Sequence, residues 1–166
     1  MSHNLNKLIL AKAVQLLAQR DHSSYELSRK LTLFFSKKIK CIEDDYPEEL
    51  SQLKIQIEHV IKYCTHQHWM DDEQYIEKYI FMRANKGYGK YKISLELKQR
   101  GLSSDLNKKL LNLADINWSE IAYQQLLKKF KLIDPKNNQQ KQKVAQYLTS
   151  RGFTPGDIKT VYSLLT

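Results

Sequence analysis

Glycine and proline are scarce in this chain, with five and three residues among 166. That leaves few breakers, and Leu, Lys, Gln and Glu dominate, so the composition favours helix throughout. Cysteine is nearly absent. Cys41 and Cys64 share no motif spacing, which excludes a disulfide framework and fits a reduced, cytoplasmic compartment. No apolar run approaches the ~20 residues that a membrane span requires. The N-terminal segment has one basic residue before a short apolar stretch and lacks a small-residue cleavage site, so it reads as a first helix rather than a signal peptide. No G-x-x-x-x-G-K-[ST], G-x-S-x-G or H-E-x-x-H occurs.

What is present is apolar residue at 42%, enough for a core and against wholesale disorder, and a lopsided charge. Residues 1–82 hold 11 Lys/Arg and 12 Asp/Glu; residues 83–166 hold 16 and 6. The net +9 therefore belongs to the second half. A polyanion or an acidic protein surface is the expected partner, because solubility alone does not need such asymmetry.

Apolar spacing marks nine helical segments. The first runs from Asn4 to Arg20 on Leu8, Ile9, Ala13, Leu16 and Leu17. Ser23 and Glu26 open the second in a capping-box pattern, with Tyr25, Leu27, Leu31 and Phe34 or Phe35 inward. An acidic link, Lys37 to Tyr46, precedes Pro47 and a long helix to about His66. Asp71 caps the fourth helix, Gly87 ends it, and the fifth runs from Lys90 to Arg100. In that fifth helix Ile93 and Leu97 lie opposite Tyr91 and Leu95, so packing on two sides is expected, with Tyr91 in the core. Lys92, Glu96 and Arg100 fall at i, i+4, i+8, the spacing of an ion-pair ladder. Gly101 stops this helix, Ser103 caps the next, and Leu106, Leu110, Leu111 and Leu113 supply its apolar face. Asn117, the Asp134–Asn138 break, Gly152 and Thr154-Pro155 punctuate the remaining three.

The segments repeat. Leu97-x-x-Arg100-Gly101-Leu102-Ser103 matches Leu148-x-x-Arg151-Gly152-Phe153-Thr154, and Ile93 falls on Val144. An all-α, elongated tandem array of three three-helix repeats is expected, at 1–70, 71–115 and 116–166.

The chemistry-bearing residues are mostly cationic. Cys64, His66 and His68 resemble a metal cluster, but helix spacing brings only Cys64 and His68 to one face, and zinc takes four ligands. Adjacent carboxylates in Asp44-Asp45 and Asp71-Asp72 diverge by ~100° on a helix. No catalytic residue or metal site is therefore expected. Arg83, Lys86, Lys90, Lys92, Lys98 and Arg100 face the single acid Glu96, with Tyr88 and Tyr91 interleaved as rings on which bases stack. Lys128, Lys129, Lys131, Lys136, Lys141 and Lys143 face only Asp134. The candidate DNA- or filament-binding set is Arg83, Lys86, Lys90, Lys98, Arg100, Lys128, Lys129, Lys141, Lys143 and Arg151, acting mainly on phosphates.

The segment from Asp71 to Leu102 resembles the RecX family, bacterial regulators of the RecA recombinase. The residues that carry the resemblance are Asp71, Asp72, Arg83, Gly87-Tyr88-Gly89, Ile93, Leu97, Arg100 and Gly101. The N-terminal Ala13-x-x-Leu16-Leu17-Ala18-x-Arg20-x-His22-Ser23-x-x-Glu26-Leu27-x-x-Lys30-Leu31 and the terminal Arg151-Gly152-Phe153 with Asp157-Ile158 extend it over nearly the whole chain. The resemblance implies a non-enzymatic monomer that lies in the groove of the RecA–DNA filament. There it would restrain filament extension, ATP hydrolysis, strand exchange and co-protease activity, and so modulate recombinational repair and the SOS response. It would need no cofactor or membrane and would meet single-stranded DNA, with double-stranded DNA as a second candidate. The competing expectation is a free-standing helical-repeat nucleic-acid-binding protein without a recombinase partner.

Overall fold

A computed structural model describes residues 5–165. The expected helix start at Asn4 lies outside them. Among the described residues there are nine α-helices and no strand. They are α1 (Lys7–Gln19), α2 (Ser24–Ser36), α3 (Tyr46–His66), α4 (Asp72–Asn85), α5 (Lys90–Gln99), α6 (Ser104–Leu113), α7 (Trp118–Lys129), α8 (Asn138–Ser150) and α9 (Pro155–Leu165). The acidic link contains one 3-10 turn, Glu43–Asp45. The chain forms two compact units, one ending at Tyr75 and one beginning at Ile76.

In the first unit α1, α2 and α3 enclose Ile9, Ala13, Leu27, Leu31, Ile57, Val60, Cys64 and Met70. Asn6 and Ser23 cap α1 and α2 by accepting from backbone N–H groups of the first turn. The Glu26 carboxylate meets the Arg20 guanidinium. The two aspartates of Asp71-Asp72 serve different helices. Asp71 Oδ1 accepts from Gln74 N at 3.2 Å and caps α4. The Asp72 carboxylate accepts from Ser24 N at 2.9 Å and Ser24 Oγ at 2.8 Å, at the start of α2. An anion there also meets the positive end of the helix dipole. Cys64 is fully buried, and His66 and His68 are exposed.

Leu8 and Tyr25, expected inside, are exposed. Each sits ~100° or more around its helix from the residues that α1 and α2 bury, Ile9 with Ala13 and Leu27 with Leu31. A helix with few partners covers only one strip.

In the second unit one cluster of buried side chains joins α7, α8 and α9: Ala122, Leu126, Val144, Leu148, Phe153, Ile158 and Val161. Ile76, Ile80, Ile93, Leu97, Leu102, Leu110 and Leu111 are buried in the preceding triplet. Burying one such large aliphatic or aromatic side chain stabilises the fold by about 2 kcal/mol.

The sequence repeat has a structural basis in a recurring helix end. Leu102 N donates to Leu97 O at 3.2 Å and Gly101 N to Lys98 O at 2.9 Å. At the matching place Phe153 N donates to Leu148 O at 3.1 Å and Gly152 N to Thr149 O at 2.9 Å. This is the Schellman pattern, which puts a left-handed residue at the turn. Gly101 has φ 77° and Gly152 φ 95°. The same pair of bonds closes α3, where Trp69 N reaches Cys64 O and His68 N reaches Thr65 O. There the left-handed residue is His68, with φ 60°. Replacing His68 by glycine should therefore raise stability by about 1 kcal/mol, because the Cβ penalty disappears. Urea denaturation of the variant checks this; a lowered midpoint would mean that the imidazole has a compensating role.

Helix α5 departs from the two-sided packing expected of it. Ile93 and Leu97 are fully buried, whereas Tyr91 is 60% exposed and Leu95 is 56% exposed. Tyr91 is thus not a core residue. The N-terminal end of α5 is held instead through its backbone.

Candidate filament and nucleic-acid interface

Gly87-Tyr88-Gly89 links α4 to α5 and lies against the turn after α8. Gly89 N donates to Arg151 O at 2.9 Å, and Tyr91 N donates to Gly152 O at 2.9 Å. The approach is so close that a Cβ on Gly89 would collide with the Gly152 carbonyl and Phe153 N. A Cβ on Gly152 would collide with Lys92 N and Cβ. The glycines of the two motifs thus let two backbones meet, joining the end of α4 and the start of α5 to the turn between α8 and α9.

Three cations surround the Tyr88 ring. The Arg83 guanidinium carbon lies 3.9 Å from the ring centroid, that of Arg151 4.1 Å, and Lys92 Nζ 4.7 Å. Cations are attracted to the negative face of the ring. Arg151 also donates to Gly87 O at 3.3 Å, Lys86 O at 3.1 Å and Gln125 Oε1 at 3.1 Å. Arg83 makes a two-point ion pair with Glu96, from Nε at 2.9 Å and Nη2 at 2.8 Å. Tyr79 OH donates to the same carboxylate at 2.5 Å.

The electrostatics follow from this geometry. Burial alone would raise the Glu96 carboxyl, but the Arg83 and Tyr79 hydrogen bonds, with the charges of Arg83 and Lys92, outweigh it and hold the group below the ordinary carboxylate range. Burial and the bond to Glu96 push the Tyr79 phenol up. The expected Lys92–Glu96–Arg100 ladder is replaced. Glu96 turns to Arg83 and Tyr79 on α4, because that face is the sheltered one, and Arg100 lies over the Tyr79 ring at 4.8 Å.

The ten candidate cations divide accordingly. Arg83 and Arg151 are half-buried and engaged within the fold. Lys90 is half-buried, with Nζ 5.9 Å from the Trp118 ring. Lys129 and Lys141 are exposed and reach Tyr147 and Tyr162 rings at 5.8 and 6.0 Å. Arg100 is exposed over Tyr79. Lys86, Lys98, Lys128 and Lys143 are exposed and form no ion pair among the described residues. The structure brings Arg83 and Arg151 together at Tyr88, although 68 positions separate them in sequence. Lys92 and Gln125 also belong to this cluster. Lys92 stands outside the candidate set because its helical spacing to Glu96 points to an ion pair, and Gln125 carries no signal in the sequence.

Comparison with known proteins matches these features to one family. Residues 71–109 match the model of the second three-helix domain of RecX, and residues 118–162 that of its third. The regulatory protein RecX of Salmonella heidelberg is 36% identical over 154 residues, covering 93% of this chain and 89% of the relative. That of Salmonella typhi gives the same identity and coverage. The crystal structure of RecX from Lactobacillus salivarius superposes with a TM-score of 0.74 at 20% identity, over 95% of this chain and 94% of that one. A second crystal structure, of a regulatory protein RecX, gives 0.68 at 21% identity, over 94% and 70%. On the family models and the full-length relatives together, this chain belongs to the RecX family of regulatory proteins.

Proposed function

We propose that this chain binds the RecA–DNA nucleoprotein filament in its groove as a monomer in the cytoplasm, and there inhibits filament extension, ATP hydrolysis, strand exchange and co-protease activity. In this reading it acts in recombinational repair and the SOS response, with three functional units at 1–70, 71–115 and 116–166. The observation that carries it is a family match spanning both basic three-helix segments, combined with lysines left exposed on them. A groove lined by phosphates and acidic protein surface suits such a body. The Tyr88 cluster adds to it: Arg83, Lys92 and Arg151 against the one carboxylate Glu96 leave two positive charges uncompensated. Tyr88 itself is enclosed by cations, so contact there is electrostatic rather than by base stacking.

The direct DNA contacts are assigned to Lys86, Lys98, Lys128 and Lys143, whose ammonium groups form no ion pair among the described residues. Neutralising all four to alanine should flatten the dependence of log K on log salt for single-stranded DNA by about 3, at roughly 0.7 per phosphate contact. Fluorescence anisotropy across a salt series measures it, and an unchanged slope would remove these lysines from the interface. Tight binding to bare DNA without any effect on recombinase ATP hydrolysis would favour the free-standing nucleic-acid-binding protein instead.

A further inference from the structure

Helices α4 and α6 leave a cleft of about 170 Å³ between them, and its lining is unlike the rest of this basic unit. Glu77, Ile80 and Phe81 come from α4, Leu110 and Leu113 from α6, and Ala114 caps the end of α6. Asp115 closes the rim. Ile80 and Leu110 form a buried floor, while Phe81 is 44% exposed and Leu113 is 69% exposed. Apolar side chains gathered at a cavity and rimmed by polar residues are the pattern of a contact surface.

The charge of the rim decides what fits. Residues 76–166 carry 17 Lys/Arg and 7 Asp/Glu, yet both charged residues at this cleft are carboxylates. Two exposed carboxylates repel phosphate, so the cleft is unsuited to DNA. We propose that it docks the protein component of the filament, taking an apolar side chain that stands next to a lysine or arginine. The inference rests on the filament reading above. It divides the labour within one unit: exposed lysines hold phosphates, and the acid-rimmed cleft holds protein. An apolar anchor in a pocket, ringed by complementary charge, is the arrangement that concentrates binding energy at interfaces.

The test compares wild type with Leu113→Lys and with the rim variant Glu77→Lys/Asp115→Lys. All three positions are exposed, so circular dichroism and the melting midpoint should be unchanged. The expected result is that each variant needs about tenfold more protein to inhibit recombinase ATP hydrolysis on single-stranded DNA, the size of one lost anchor. Affinity for bare single-stranded DNA should stay equal or tighten slightly from the added cations. Wild type and variants inhibiting equally would overturn the cleft proposal alone. Variants that bind bare DNA more weakly, in step with lost inhibition, would assign the cleft to DNA. Sedimentation showing a wild-type oligomer that Leu113→Lys dissolves would assign it to a second copy. A wild type without any effect on the recombinase would overturn the filament reading and this proposal with it.

Discussion

Replacing Gly152 by valine should destabilise the second unit by about 3 kcal/mol, from two sources that add. The residue sits at φ 95°, where a β-branched L side chain is strained by about 1–2 kcal/mol. Its Cβ would also enter the space of Lys92 N and Cβ. Overpacking of this kind costs about 1–3 kcal/mol. Backbone on the other side cannot yield easily, because the Gly89–Arg151 and Tyr91–Gly152 hydrogen bonds fix both strands of the contact. For a unit of this size a loss of 3 kcal/mol lowers the melting midpoint by roughly 15 °C. Gly156→Ala is the natural control. It lies in α9, its Cβ would meet only Thr154 Oγ1 at 3.7 Å, and helix propensity then favours the alanine. Calorimetry of both variants checks the account. Equal midpoints for Gly152→Val and wild type would mean that the joint does not stabilise the unit.

Glu96→Ala should destabilise the fold by about 2 kcal/mol. The carboxylate accepts from Arg83 twice and from Tyr79 once, so its removal strips a guanidinium and a phenol of their partner. Fully buried pairs cost about 3–5 kcal/mol to break. Here Arg83 and Glu96 side chains are about one-fifth exposed, 19% and 18%, so water recovers part of the loss. The effect should also depend on pH. In the unfolded chain the Glu96 carboxyl takes up its proton near the ordinary value of about 4.5, and in the folded chain only at lower pH. Between those two points the unfolded chain binds more protons, so the contribution of Glu96 is complete above pH 4.5 and is lost as pH falls through the folded value. Wild type and Glu96→Ala should therefore converge in stability under acid. Denaturation from pH 7 to pH 3 measures it, and a constant difference would show that packing, not charge, sets the cost.

The legible part of this fold was what local chemistry dictates. Short capping side chains at Ser23, Asp71, Ser103, Asn117 and Thr154 placed helix starts correctly, since each accepts from its own first turn or, for Thr154, exchanges bonds with Asp157. Gly87, Gly101 and Gly152 marked left-handed helix ends, all with positive φ. The family pattern was legible too, since the glycine-bearing motifs match the domains that the RecX models describe. Side-chain direction was less so. Tyr91, Leu8 and Tyr25 are apolar at helical spacing, and spacing alone does not tell which strip a neighbouring helix covers. Nor does it tell where Glu96 turns, because Arg83 competes for it from another helix 13 positions away. Arg83 and Arg151 read as surface cations because a sequence shows charge before it shows enclosure. The acid-rimmed cleft was hidden for the same reason: Glu77 and Asp115 are 38 positions apart.

The most direct measurement is a titration of this protein into RecA assembled on single-stranded DNA, following ATP hydrolysis at fixed salt. The account predicts a saturable fall in hydrolysis by wild type. Lys86→Ala/Lys98→Ala/Lys128→Ala/Lys143→Ala should need markedly more protein, while keeping the wild-type melting midpoint. Undiminished hydrolysis at protein concentrations that saturate the filament would contradict it.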